Sequence, residues 1–142
     1  MKTLQQLSLF VENKPGSIGG PVQALADAGI NIYTLSVADT EAFGVLRLLV
    51  RDAEVAADVL AKAGYVGKIT DVVAIQVAHE PGSLAKVLAV LDRHQVNVEY
   101  MYAFAAGVGG KAALVFRFAD PADALAKIGA ELPLLDDADL FG

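Results

Sequence analysis

The sequence predicts an α+β protein made of two copies of one βαββαβ unit, each an antiparallel sheet with both helices on one face. Three observations carry this: an internal repeat, a period-two apolar pattern in matching segments, and helical apolar stripes between them. Slid on itself by 66 residues, the chain places Pro15-Gly16-Ser17-Ile18 on Pro81-Gly82-Ser83-Leu84 and Asn31-Ile32 on Asn97-Val98. Leu7, Leu9 and Val11 then fall on Val73, Ile75 and Val77. The second copy is longer around 107–110, so the offset becomes 68, and Asp52, Ala56 and Leu60 fall on Asp120, Ala124 and Ile128. The repeat divides the chain into domains at 1–71 and 72–142, with almost no linker and no further domain expected.

The first strand is predicted near 5–12 and its counterpart near 72–79, each with its apolar residues alternating onto one face. A Pro-Gly loop follows, then a helix. In the second copy Leu84, Val87, Leu88 and Leu91 give the i, i+3, i+4, i+7 stripe of a core-facing helix, with Ser83 as its N-cap. In the first copy Gly19, Gly20 and Pro21 weaken the opening turn, and Ala28-Gly29 ends the helix. The second and third strands are expected at 31–38 and 44–50, and again at 97–104 and 111–118, where the glycines at 107–110 read as a hairpin turn. Asp52 and Asp120 are good N-caps for the second helix, and Pro121 suits its first position. Val55, Ala56, Val59, Leu60 and Ala63 form that helix's apolar stripe. A short fourth strand is expected at 66–70 and at 132–135, and the acidic segment 136–142 as a frayed cap or a short helical turn. This order of elements is the split βαβ, or ferredoxin-like, pattern.

Hydrophobic residues make up 55% of the chain and charged residues 20%, enough to build a core and too little charge for disorder. The apolar runs are too short to cross a bilayer. Met1-Lys2 leads into polar residues where a signal peptide would be apolar, so a cytoplasmic location is expected. The absence of cysteine excludes disulfides, thiolate metal sites and thiol nucleophiles. His79 and His94 lie on different elements without metal-ligand spacing, so neither a metal nor a cofactor is expected. Residues 1–71 carry six Lys/Arg against eight Asp/Glu, and residues 72–142 five against nine. With both halves acidic and no basic cluster, nucleic acid is excluded as a partner.

Two features recur in both copies and suit ligand binding. The Pro-Gly loop precedes a helix N-terminus, whose unpaired N–H groups attract a carboxylate. Pro-Gly also serves ordinary strand-to-helix turns, so one copy alone would be even odds. Asn31 and Asn97 open the next strand, and an Asn side chain both donates and accepts. The competing reading is an Asn that satisfies its own turn. Tyr100, Tyr102 and Phe104 share one face of a strand, where packing is the simpler role. Arg47 and Arg117 have no counterpart in the repeat and read as surface or edge residues.

The segments 10–18 and 78–84, with Gly29-Ile30-Asn31-Ile32 and its match at 95–98, resemble the signature of ACT domains. The run from Asn97 to Phe104 further resembles proteins made of two ACT domains alone. The resemblance implies a ferredoxin-like regulatory module that binds a free amino acid or similar small ligand where two domains meet, one giving its loop and the other its Asn-bearing strand. Carried over position by position, it marks Asn13, Pro15, Gly16, Ser17, Ile18, Asn31 and Ile32 in the first copy. In the second it marks His79, Glu80, Gly82, Ser83, Leu84, Asn97 and Val98. A homodimer and a metabolic enzyme or regulator as partner are what it implies for assembly. Asn13 aligns with His79 and Lys14 with Glu80, so the two loops need not be equivalent. Catalysis would need a nucleophile, a base and an orienting group together, and His79 near Ser83 has no third group. No catalytic residue is therefore assigned. The main competitor is a protein-interaction or oligomerisation module with no ligand, working through exposed strand edges.

Overall fold

The computed structural model describes residues 3–39, 42–104 and 111–141. The hairpin expected at 107–110 lies outside them. The elements run β1 (Leu4–Glu12), α1 (Gly19–Asp27), β2 (Ile32–Asp39), β3 (Phe43–Val50), α2 (Ala53–Lys62), β4 (Gly67–Ala78), α3 (Ser83–Arg93), β5 (Tyr100–Phe104), β6 (Lys111–Arg117), α4 (Pro121–Ile128), β7 (Leu134–Leu135) and α5 (Asp137–Phe141). The α+β, ferredoxin-like class is observed. The chain forms two compact units: Gln5–Thr70 with Phe141, and Asp71–Leu140 with Leu4.

In the first unit β3 lies between β2 and β1, antiparallel to both, and β4 follows β1. The period-two pattern does its expected work here. Leu7, Leu9 and Val11 of β1 and Leu46, Leu48 and Val50 of β3 face one way and pack with Leu25 of α1 and Ala53, Ala56 and Leu60 of α2. In the second unit β6 lies between β5 and β4, and β7 pairs on the far side of β4. Val73, Ile75, Leu114 and Phe116 pack there with Val87 and Leu91 of α3 and Ala124 and Ile128 of α4. Fully burying one such aliphatic or aromatic side chain contributes about 1.5–3 kcal/mol, so each core is held by many comparable terms.

The helix boundaries follow from capping. Asp52 accepts from the Val55 N–H at 3.1 Å, and Asp120 from the Asp123 N–H at 3.0 Å, with Pro121 next to it as expected. Helices α1, α2 and α3 end alike: Ile30 N–H reaches Leu25 O, Tyr65 N–H reaches Leu60 O, and Val96 N–H reaches Leu91 O. Each is a Schellman ending, which places the residue just before that donor in the left-handed region. Those residues are Gly29, Gly64 and Gln95. At the chain's other end, Asp136 and Asp139 accept each other's N–H at 2.9–3.0 Å and start α5, the short turn of helix expected there.

Several expectations are corrected. Ser83 is the first helical residue rather than the N-cap; Gly82 holds the cap position at φ +87°, and no side chain caps it. Helix α1 starts at Gly19, two residues later than the repeat position of Ser83, with Gly19, Gly20 and Pro21 in its first turn as expected. As the near absence of a linker implies, the fourth strand of the first copy runs directly into the first strand of the second as β4, extended through Asp71, whose carbonyl accepts from Arg117 Nη1 at 2.8 Å. That bond, and the Glu99 carboxylate 3.4 Å from its Nε, make Arg117 a half-buried structural residue rather than a surface one. Strand β5 begins at Tyr100, not 97. Val96 and Val98 turn into the second core ahead of it, and the ladder opens only where Glu99 N–H meets Arg117 O. Leu84 and Val55, expected in core stripes, are 42% and 50% exposed.

Candidate ligand-binding site

The two Pro-Gly loops have one geometry. In Lys14-Pro15-Gly16-Ser17 the Ser17 N–H donates to Lys14 O, and in Glu80-Pro81-Gly82-Ser83 the Ser83 N–H donates to Glu80 O, both at 3.3 Å. Gly16 and Gly82 both have φ +87°. Pro at the second position and a left-handed Gly at the third define a type II turn. A Cβ at either glycine would meet nothing within 4 Å, so the residue is required by its backbone angle and not by close approach. The motif therefore has a complete folding explanation. What the turn leaves over is its surface: Asn13, Pro15, Gly16, His79, Glu80 and Gly82 are exposed, and Ser17 and Ser83 half-buried. Asn13 is held through its N–H to Ala42 O at 3.0 Å. Ile18, just before α1, and Leu84, in the first turn of α3, are equivalent in the repeat and 40% and 42% exposed.

The two asparagines also occupy equivalent places. In the first unit Gly29, Ile30, Asn31, Tyr33, Arg51, Asp52 and Val55 line a cavity of about 270 Å³. In the second, Gln95, Val96, Asn97, Phe118, Ala119, Asp120 and Asp123 line one of about 150 Å³. Each cavity lies where the ending of one helix meets the N-cap of the next. Ile32 and Val98, assigned from the sequence beside the asparagines, are half-buried and pack on the two cores.

Loop and asparagine do not meet within a unit. Glu12, just before the first loop, pairs with Phe43, whereas Ile32, just after Asn31, pairs with Val50. Phe43 and Val50 are the two ends of β3, so the two features are roughly 23 Å apart at a strand rise of ~3.3 Å per residue. The cavity residues Tyr33, Arg51 and Val55 were not singled out in the sequence. Their signal was available as departures from the repeat: Arg51 aligns with Ala119, Val55 with Asp123 and Tyr33 with Glu99.

Elsewhere in the second unit, Glu131 accepts from Arg93 and contacts His94 Nε2 at 2.6 Å. The His94 hydrogen bond, above all, holds the Glu131 carboxyl below its ordinary value; desolvation opposes it, and the Arg93 and His94 charges add smaller lowering effects. Among the described residues no group of three or more His, Cys, Asp or Glu side chains could hold a metal ion. No helix among them is long and apolar enough to cross a membrane.

Two ferredoxin-like units in tandem, each with a type II Pro-Gly turn at one end and an Asn-lined cavity at the other, define a duplicated α+β protein. The chain belongs to the ACT domain pair family, which it matches over residues 2–141. It is 35% identical to protein BT0572 from Bacteroides thetaiotaomicron, with 98% of this chain and 96% of that chain covered and a TM-score of 0.89. The ligand-free regulatory subunit of aspartate kinase from Thermus thermophilus is 18% identical, with 92% and 93% covered and a TM-score of 0.62. The corresponding subunit from Thermus flavus is 19% identical, with 92% of each chain covered and a TM-score of 0.57. At those identities the last two share the fold. No curated protein matches the chain.

Proposed function

We propose that this protein is a ligand-sensing regulator that binds a free amino acid or a similar small molecule and has no catalytic activity of its own. The observation that carries the reading is the duplicated pair of features, an exposed turn bearing Ile18 or Leu84 and a cavity bearing Asn31 or Asn97. Both units reserve apolar and polar side chains at the same two places after their cores are filled. In this reading the protein works as a homodimer and signals to an enzyme or regulator.

Screening the twenty amino acids by thermal shift, with wild type, Asn31→Ala and Asn97→Ala, tests the reading. A ligand at 100 times its Kd adds about 2.7 kcal/mol of stability, which for a chain of this size is a rise of several degrees. No rise with any amino acid would sink it. A second reading, assembly without ligand, is favoured by Phe10 and Phe43, 82% and 55% exposed on one face of the first unit's sheet. Light scattering with and without amino acids separates the two, since pure assembly would be indifferent to them.

A further inference from the structure

The repeat allows the two Asn-bearing cavities to be compared position by position, and they differ in charge. The first is lined by one cation, Arg51, and one anion, Asp52. In the second, Ala119 stands in place of Arg51 and Asp123 in place of Val55, so two carboxylates, Asp120 and Asp123, line it and no cation does. Lys127 pairs with Asp123 at 3.0 Å but does not line the cavity. Phe118, where the first unit has Val50, accompanies a smaller volume, about 150 against 270 Å³.

Arg51 is held ready rather than used up. Its Nη2 donates to the Tyr33 hydroxyl at 3.1 Å and to the main-chain oxygen of Phe141. The Phe141 ring sits edge-on to Tyr33, with centroids 4.7 Å apart, and is buried. Both bonds use Nη2, so among the described residues Nε and Nη1 have no protein partner. A guanidinium fixed at one corner with its other donors open is preorganised for a carboxylate, which it binds through two parallel bonds. Holding the side chain in advance removes much of the ordering cost that a free surface arginine would incur on binding. Asp52 gives Oδ1 to the Val55 N–H, and its other oxygen remains an acceptor suited to an ammonium. Asn31 offers both kinds of partner. A cation, an anion and an amide around a small cavity complement an α-amino acid zwitterion. The second cavity, with two carboxylates, repels a ligand carboxylate.

We infer that the first unit's cavity, and not the second's, takes the α-amino acid, with Arg51 binding its carboxylate beside Tyr33, Asp52 and Asn31. This rests on the ligand-sensing reading above and deepens it by naming the working copy and its anchor. Isothermal titration of the full chain with the twenty amino acids, and with the carboxamide of each one that binds, tests it. The expected result is one ligand per chain. Arg51→Gln should weaken it at least tenfold and Arg51→Lys less. The carboxamide should bind wild type at least tenfold more weakly and should lose that disadvantage in Arg51→Gln. Circular dichroism and the melting temperature of each variant separate lost binding from lost folding. Undiminished binding in Arg51→Gln, two equivalents per chain, or dependence on Asn97 alone would overturn the inference while leaving the sensing function standing. Failure of every amino acid to bind wild type overturns both.

Discussion

Replacing Gln95 by glycine should make the protein more stable. Helices α1, α2 and α3 end in the same Schellman pattern, and the left-handed position is filled by Gly29 at φ +75°, Gly64 at φ +93° and Gln95 at φ +57°. An L-residue with a Cβ sits there at a cost of about 1–2 kcal/mol relative to its usual conformations, and glycine does not incur it. Glycine gives back roughly 0.5–1 kcal/mol through the greater freedom of its unfolded chain. The net gain should be about 0.5–1 kcal/mol, or a rise of roughly 2–3 °C in the transition that includes the second unit. Urea unfolding and calorimetry without ligand measure it, and Gly29→Gln supplies the mirror experiment. That variant forces a side chain into the same conformation in the first unit and should lose about 1–2 kcal/mol. If Gln95→Gly leaves the midpoint unchanged or lowers it while Gly29→Gln is destabilising, strain at Gln95 is not the governing term. Its side chain, which lines the second cavity, would then be making an offsetting contribution.

Three further outcomes are expected. Gly16→Ala and Gly82→Ala should each cost about 1–2 kcal/mol in urea unfolding, since the open space around both leaves only the backbone angle to oppose a Cβ. Leu91→Ala should cost about 2–5 kcal/mol because Leu91 is fully buried in the second core, whereas Leu84→Ala should cost well under half as much; equal losses would return Leu84 to the core. Glu131→Gln should lower the melting temperature near neutral pH. A carboxyl held below its ordinary value in the folded state contributes stability above the unfolded value. That contribution is lost as pH falls through the depressed one, so the gap to wild type should begin to close near the ordinary carboxyl value of about 4.3, shrink further at lower pH, and narrow in high salt.

Period-two alternation placed β1 and its counterpart in β4, helical stripes placed α2 and α3, and the repeat carried both to the matching copy, because burial on one face is a local pattern written residue by residue. The N-caps at Asp52 and Asp120 were legible for the same reason, the side chain acting three residues away. What misled was coupling between neighbours. Ser83 is a plausible cap by type, but the type II turn before it puts Gly82 at the boundary and draws Ser83 into the helix. The cavities were hidden because they join residues 29–33 to residues 51–55, and only the folded sheet sets those segments side by side. The loop and the asparagine were found as motifs, but their separation along β3 depends on strand register, which no motif expresses.

Two copies in one chain also separate what folding requires from what it permits. Where the backbone imposes a residue, the copies agree at Gly16 with Gly82 in the turn and at Asp52 with Asp120 at the N-cap, Gln95 in place of Gly29 being the exception. Around the cavity they diverge, Arg51 against Ala119, Val55 against Asp123 and Tyr33 against Glu99, although Arg51 and Tyr33 also hold Phe141. Asn31 and Asn97 agree although both are exposed and follow helix endings of different composition, Gly29-Ile30 and Gln95-Val96. Folding alone would not demand asparagine at both places, since exposed positions at a strand entry tolerate many polar residues. The asparagine kept in both copies beside an arginine present in one is the arrangement that the inferred ligand anchor at Arg51 predicts.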